Sequence, residues 1–153
     1  MSIKINECFP EVVVINTAGG LTGGDQLTGS VSLENKCRVS IATQAAERIY
    51  RSTTGRANIS FNFTLCSEAK LDWLAQETIL YEGGNLKRKI SVDMEKDSSL
   101  LLIEPIVLGR KAMGEEISNA VLTDFWKISR GGKLIFCEAV RLSSFEQLKS
   151  SAA

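Results

Sequence analysis

The sequence predicts a mainly β fold of layered sheets, β-helix-like or sandwich-like, with at most one or two short helices. Three observations carry this reading. In Ala57 to Leu65, Ile59, Phe61, Phe63 and Leu65 alternate with Asn58, Ser60, Asn62 and Thr64, the period of a strand with one wet face. Leu86 to Met94 repeats the pattern, with Ile90, Val92 and Met94 inside and Lys89, Ser91 and Asp93 outside. The rest of the chain is a series of short apolar runs, about ten strands in all, divided by glycine pairs and polar turns. Pro10 and Pro105 both fall outside the runs.

The elements follow in order. Glu11-Val12-Val13-Val14-Ile15 is a β-branched run ended by Asn16, and it reads as a buried strand. Val31 to Leu33 and Cys37 to Thr43 are two more strands, the second with Cys37, Val39 and Ile41 on one face. Gln44 to Tyr50 contains good helix formers but is short and flanked by strands, so helix and strand both stay open. Leu71 to Leu74 and Thr78 to Tyr81 are short strands, followed by a turn at Gly83-Gly84-Asn85. Leu100 to Ile103 is apolar throughout, as in a strand buried on both faces. Gly109 to Glu116 is a glycine-punctuated connection. Val121 to Arg130 and Lys133 to Leu142 form a hairpin across Gly131-Gly132. The tail after Ser144 begins a helix. Cys8, Cys37 and Cys66 are equally spaced, but their surroundings do not match, so no repeat at a solenoid period is read.

Composition narrows the function. The chain has 153 residues, 18 basic and 18 acidic, so no basic field exists to hold nucleic acid or an anionic membrane. No apolar run spans a bilayer and the first residues are too polar for a signal peptide, which gives a cytoplasmic expectation. Four dispersed cysteines then read as small buried hydrophobes rather than disulfides. There is no histidine, which removes the Ser-His-Asp triad, the Cys-His dyad and histidine-based zinc sites.

The stretch from Asn16 to Arg51 holds the most unusual chemistry. Gly19 and Gly24 have the spacing of a phosphate loop, with Gly20 and Gly23 between them. However, Asp25 and Gln26 stand where lysine and a hydroxyl belong, and an aspartate there repels phosphate. Asp25, Glu47, Glu77, Glu104 and Glu115 each sit at a strand end or glycine turn beside apolar neighbours. Paired carboxylates suit either glycosidase-type acid/base work or transient binding of a cation through oxygen. Solvated surface acids are the plainer alternative. Trp73 and Trp126 read as core or interface anchors.

Taken in order, several segments are more specific than any one motif. They are Asn16-Thr-Ala-Gly-Gly-Leu-Thr-Gly-Gly-Asp25, Thr43-Gln-Ala-Ala-Glu-Arg-Ile-Tyr-Arg51, Leu71-Asp-Trp-Leu-Ala-Gln-Glu-Thr-Ile-Leu80, Glu104, Gly109-Arg110, Met113-Gly114-Glu115 and Glu138-Ala-Val-Arg-Leu142. Together they resemble the urease accessory protein UreD family, also called UreH, over about residues 12 to 142. The single UreD-like domain would then span residues 1–153, shortened at both ends, since family members are longer on either side.

The resemblance implies a non-enzymatic role. Family members bind the urease apoprotein with UreF and UreG and help deliver nickel to a carbamylated-lysine dinickel site, with GTP hydrolysis on UreG. It also implies a β-helix-like fold, a water-filled tunnel as nickel route, and no permanently bound cofactor. Asp25, Glu77, Glu104 and Glu115 become the tunnel candidates. Gly19, Gly20, Gly23, Gly24, Thr43, Gln44, Glu47, Tyr50, Arg51, Trp73, Gln76, Gly109, Arg110 and Gly114 become partner-binding or structural positions. The competing expectations are a carboxylate-dependent hydrolase and an inactive, truncated remnant.

Overall fold

The computed structural model describes residues 1–6, 11–110 and 113–143. Among these residues thirteen strands form three sheets. They are β1 (Ser2–Ile5), β2 (Glu11–Ile15), β3 (Gln26–Leu33), β4 (Arg38–Gln44), β5 (Glu47–Ile49), β6 (Ala57–Leu65), β7 (Lys70–Leu74), β8 (Thr78–Leu80), β9 (Asn85–Met94), β10 (Ser99–Ile103), β11 (Ile106–Leu108), β12 (Val121–Arg130) and β13 (Lys133–Leu142).

The connectivity is that of a β-solenoid. One sheet has the order β1-β3-β6-β9-β12-β13, the second β10-β7-β4-β2 and the third β11-β8-β5. Successive strands of the chain visit the three sheets in turn, and every pairing between named strands is parallel except β12 with β13. The layered, β-helix-like class expected from the sequence is therefore the class observed.

The solenoid has no fixed period in the sequence, as expected. Ser2 pairs with Ser30, Gln26 with Asn58, Ala57 with Leu86 and Asn85 with Val121, so each coil has its own length. The parallel ladder needs only strand alternation to stack, so unequal loops between strands erase the period from the sequence without disturbing the fold. The equal cysteine spacing does not mark the coil: Arg38 lies beside Lys70, which leaves Cys37 out of step with Cys66. Cys37 is buried, Cys66 half-buried and Cys137 exposed, so the buried-hydrophobe expectation fails at Cys137, which sits on the outermost strand. Cys8 and the expected helix after Ser144 lie outside the described residues.

Alternation places the core. Ile59, Phe61, Phe63 and Leu65 of β6 point inward with Ile90, Val92 and Met94 of β9, as expected. Trp73 of β7 closes against both Phe61 and Phe63, with ring centroids 4.9 and 5.0 Å away. Trp126 packs half-buried against this core.

Two strands read as fully buried are edge strands instead. Val13 and Ile15 of β2, and Leu101 and Ile103 of β10, lie at the two edges of the four-stranded sheet and are exposed. Continuous apolar runs do not distinguish a central strand from an edge strand that keeps apolar residues on its outer face. Gln44 to Tyr50, left open by propensity, is extended: β4 ends at Gln44 and β5 begins at Glu47. Further strand appears at Ser2–Ile5, at the first half of β3 and at Ile106–Leu108. The hairpin at Gly131-Gly132 is as expected, with φ of 54° and 75°, values a two-residue hairpin turn requires.

Candidate functional site

A cavity of about 320 Å³ runs into the solenoid from the side of its first coils. Exposed Met1, Thr17, Gly19 and Thr28 line its outer part. Buried Trp73 and Arg88, with Glu104, line its floor. Two acids therefore face one space, Glu47 near the rim and Glu104 at the floor.

The rim is built from the ends of β2 and β4 and from β5. Parallel pairing of Ile15 with Gln44 brings Asn16, just past β2, over the start of β5. Asn16 Nδ2 donates to Glu47 Oε1 at 3.0 Å and to Oε2 at 2.9 Å. The amide is neutral, so the carboxylate keeps its charge uncompensated. Partial burial pushes the Glu47 carboxyl above its usual range, and the bond from Asn16 offsets this only in part. The neighbouring glycine turn is fixed by close approach: a Cβ on Gly20 would come within 2.5 Å of the Tyr50 ring, and one on Gly23 would strike Thr54 O and Ser52 Oγ. Leu21 joins the turn to β5, donating to Arg48 O and accepting from Tyr50 N.

The floor is ionic. Arg88 of β9 is 1% exposed, yet it carries a guanidinium. Its Nε donates to Asp124 Oδ1 at 3.0 Å and its Nη2 to Asp124 Oδ2 at 2.6 Å, a two-pronged pair with β12. Its Nη1 donates to Glu104 Oε2 at 2.6 Å. The other oxygen, Glu104 Oε1, accepts from Trp73 Nε1 at 2.7 Å. Burial works against the charged guanidinium, but the bonds to Asp124 and the charges of both carboxylates outweigh it and raise its pKa. One cation serves two acids here. Burial, with the charge of Asp124 adding to it, lifts the Glu104 carboxyl above the usual carboxylate range despite Arg88 and Trp73.

The remaining expected residues divide by location. Gly19, Gly20, Thr43, Gln44, Glu47, Trp73, Gln76 and Glu104 line the cavity. Of the four tunnel candidates, Glu104 is the one that does so. Asp25 is exposed and closes its own turn by accepting from Thr22 N at 2.8 Å. Glu77 presents its backbone carbonyl to Glu47 N at 2.9 Å. Glu115 accepts from Arg110 Nε at 3.0 Å, and this partner holds its carboxyl below the usual range. Arg110 in turn stands 4.6 Å over the Tyr81 ring, which meets Tyr50 edge-on at 5.2 Å. Arg51 bridges to Gly84, and Gly109 donates to Leu80 O. Gly24 and Gly114 adopt positive φ in turns. Among the described residues, no three Cys, Asp or Glu side chains converge on a point that could hold a metal ion.

Arg88 and Asp124 were not among the expected site residues. Their signal is phase. Arg88 shares the parity of Ile90, Val92 and Met94, and Asp124 that of Leu122 and Ile128, so each is a charge on an apolar face. No helix in the described residues is long and apolar enough to cross a membrane.

Comparison with known proteins gives one consistent result. The profile of the UreD urease accessory protein family matches residues 4–153. A urease accessory protein UreD of Rhizobium leguminosarum bv. viciae is 45% identical over 133 residues, covering 87% of this chain and 49% of the relative. Proteins of the same description from Ruegeria pomeroyi and Dinoroseobacter shibae are each 44% identical, over 86% and 92% of this chain and 52% and 50% of their own length. The chain thus spans about half the length of these curated relatives.

Proposed function

The chain belongs to the UreD urease accessory protein family, and from that premise we propose that it acts in urease maturation as a non-catalytic scaffold. In this reading it binds apo-urease together with UreF and UreG and gives nickel a path through the solenoid interior. The single observation that supports the path is the cavity with Glu47 at its rim and Glu104 at its floor. A passing divalent cation would meet one carboxylate at a time, and oxygen ligands of that kind release a borderline cation more readily than histidine or thiolate. Asp25, Glu77 and Glu115 stand apart from this path and suit roles in turns or partner contacts.

The hydrolase alternative gains no comparable support, because Glu104 is already engaged by Arg88 and Trp73. The test is co-expression of the chain with urease subunits, UreF and UreG. Nickel-dependent urease activity is expected to rise when the chain is present. It should fall when Glu47→Ala and Glu104→Gln are combined. Activation that ignores the chain, or turnover of a glycoside by the purified protein, would overturn the proposal.

A further inference from the structure

We propose that Arg88 is a latch on the cavity floor, holding Glu104 in the resting protein and yielding it to a divalent cation by withdrawing onto Asp124. Arg88 is then a positioning residue that acts through Glu104. The inference rests on the cation-path reading above and adds to it a residue that decides when the floor is available.

The asymmetry of the bonds sets the direction. Arg88 holds Asp124 with two bonds, through Nε and Nη2, and Glu104 with one, through Nη1. Breaking the single bond leaves the guanidinium doubly bonded to a carboxylate, so no buried charge is stranded. Breaking the pair would leave Asp124 without its counter-charge. The positions agree with the bonds: Glu104 and Arg88 line the cavity, whereas Asp124 is buried outside its lining. Trp73 Nε1 continues to hold Glu104 Oε1, so the carboxylate stays anchored in the cavity lining when Oε2 is released. A volume of about 320 Å³ has room for roughly ten waters at ~30 Å³ each, enough for a cation that retains part of its hydration shell.

Trp73 supplies the readout. Nickel(II) quenches indole emission at short range, and Trp126→Phe leaves Trp73 as the one tryptophan, since the chain has two. The experiment titrates the full chain carrying Trp126→Phe with nickel(II) alone. It compares that background with added Asp124→Asn and with added Arg88→Gln, folding being checked by circular dichroism. Quenching is expected in the background. With Asp124→Asn the guanidinium has Glu104 as its remaining full counter-charge, and the quenching midpoint should rise about tenfold. With Arg88→Gln the latch is gone, and the midpoint should fall by about the same factor. Should Arg88→Gln fail to fold, the Asp124→Asn comparison decides alone. Equal midpoints in background and Asp124→Asn, or a lower one in the variant, would overturn the latch and leave the cation path standing. Absence of quenching in the background would overturn both.

Discussion

The rim and the floor of the cavity use the same functional group in opposite settings. Glu47 is half-buried and bonded to a neutral amide, so its charge remains free to attract a cation. Glu104 is more deeply buried and bonded to a guanidinium, so its charge is already answered. Burial raises the pKa of both carboxyls. What distinguishes them is the charge of the partner: an amide leaves an acid chemically available, and an arginine makes it part of the structure until the arginine moves.

Substitutions that break this contrast should differ widely in effect. Asp124→Ala has the largest, because it removes both bonds to the buried Arg88 and leaves Nε and Nη2 without an acceptor. A loss of about 3–5 kcal/mol in unfolding free energy is expected from two charge-assisted bonds lost at a buried group, read as a lower midpoint in urea, and a loss under ~1 kcal/mol would mean that solvent reaches the floor. Trp73→Phe removes the bond to Glu104 and part of the indole volume, for about 1–3 kcal/mol. Calorimetry would refute this if the variant melted with the native protein.

Glu47→Gln tests the rim through pH. A carboxyl raised in the folded state favours folding below its unfolded pKa, near 4.5 for a glutamate, and that contribution is lost as pH rises through the folded pKa. The stability of the native chain relative to Glu47→Gln should therefore fall as pH rises above about 4.5, measured as the difference in melting temperature. A difference that is flat or grows with pH would contradict the rim assignment. Glu115→Gln marks the lower bound: its exposed pair with Arg110 should change stability by less than ~1 kcal/mol.

How much of this was readable from sequence follows from what each feature depends on. The alternation of β6 and β9 depends on local periodicity, and both strands appear where expected. The solenoid path depends on which strands become neighbours, and coils of unequal length hide that. Leu101 and Ile103 were misplaced for the same reason, since edge position is a property of the stack rather than of the strand. Glu104 was legible as an acid at a strand end, but its partners come from β7 and β9. Arg88 and Asp124 carried a phase signal, and it is a subtle one, because a charge within an alternating strand reads first as an imperfect repeat.

The coils described last have a consequence for exposure. The three sheets start together in the first coil, with β1, β2 and the Leu21 bridge, but they do not finish together. Among the described strands, the first sheet runs on through β12 and β13 after the other two stop at β10 and β11. At about 4.8 Å per strand this is a step of roughly 10 Å. Among the described residues β13 has no strand of the other two sheets level with it, and it is exposed from Lys133 to Arg141.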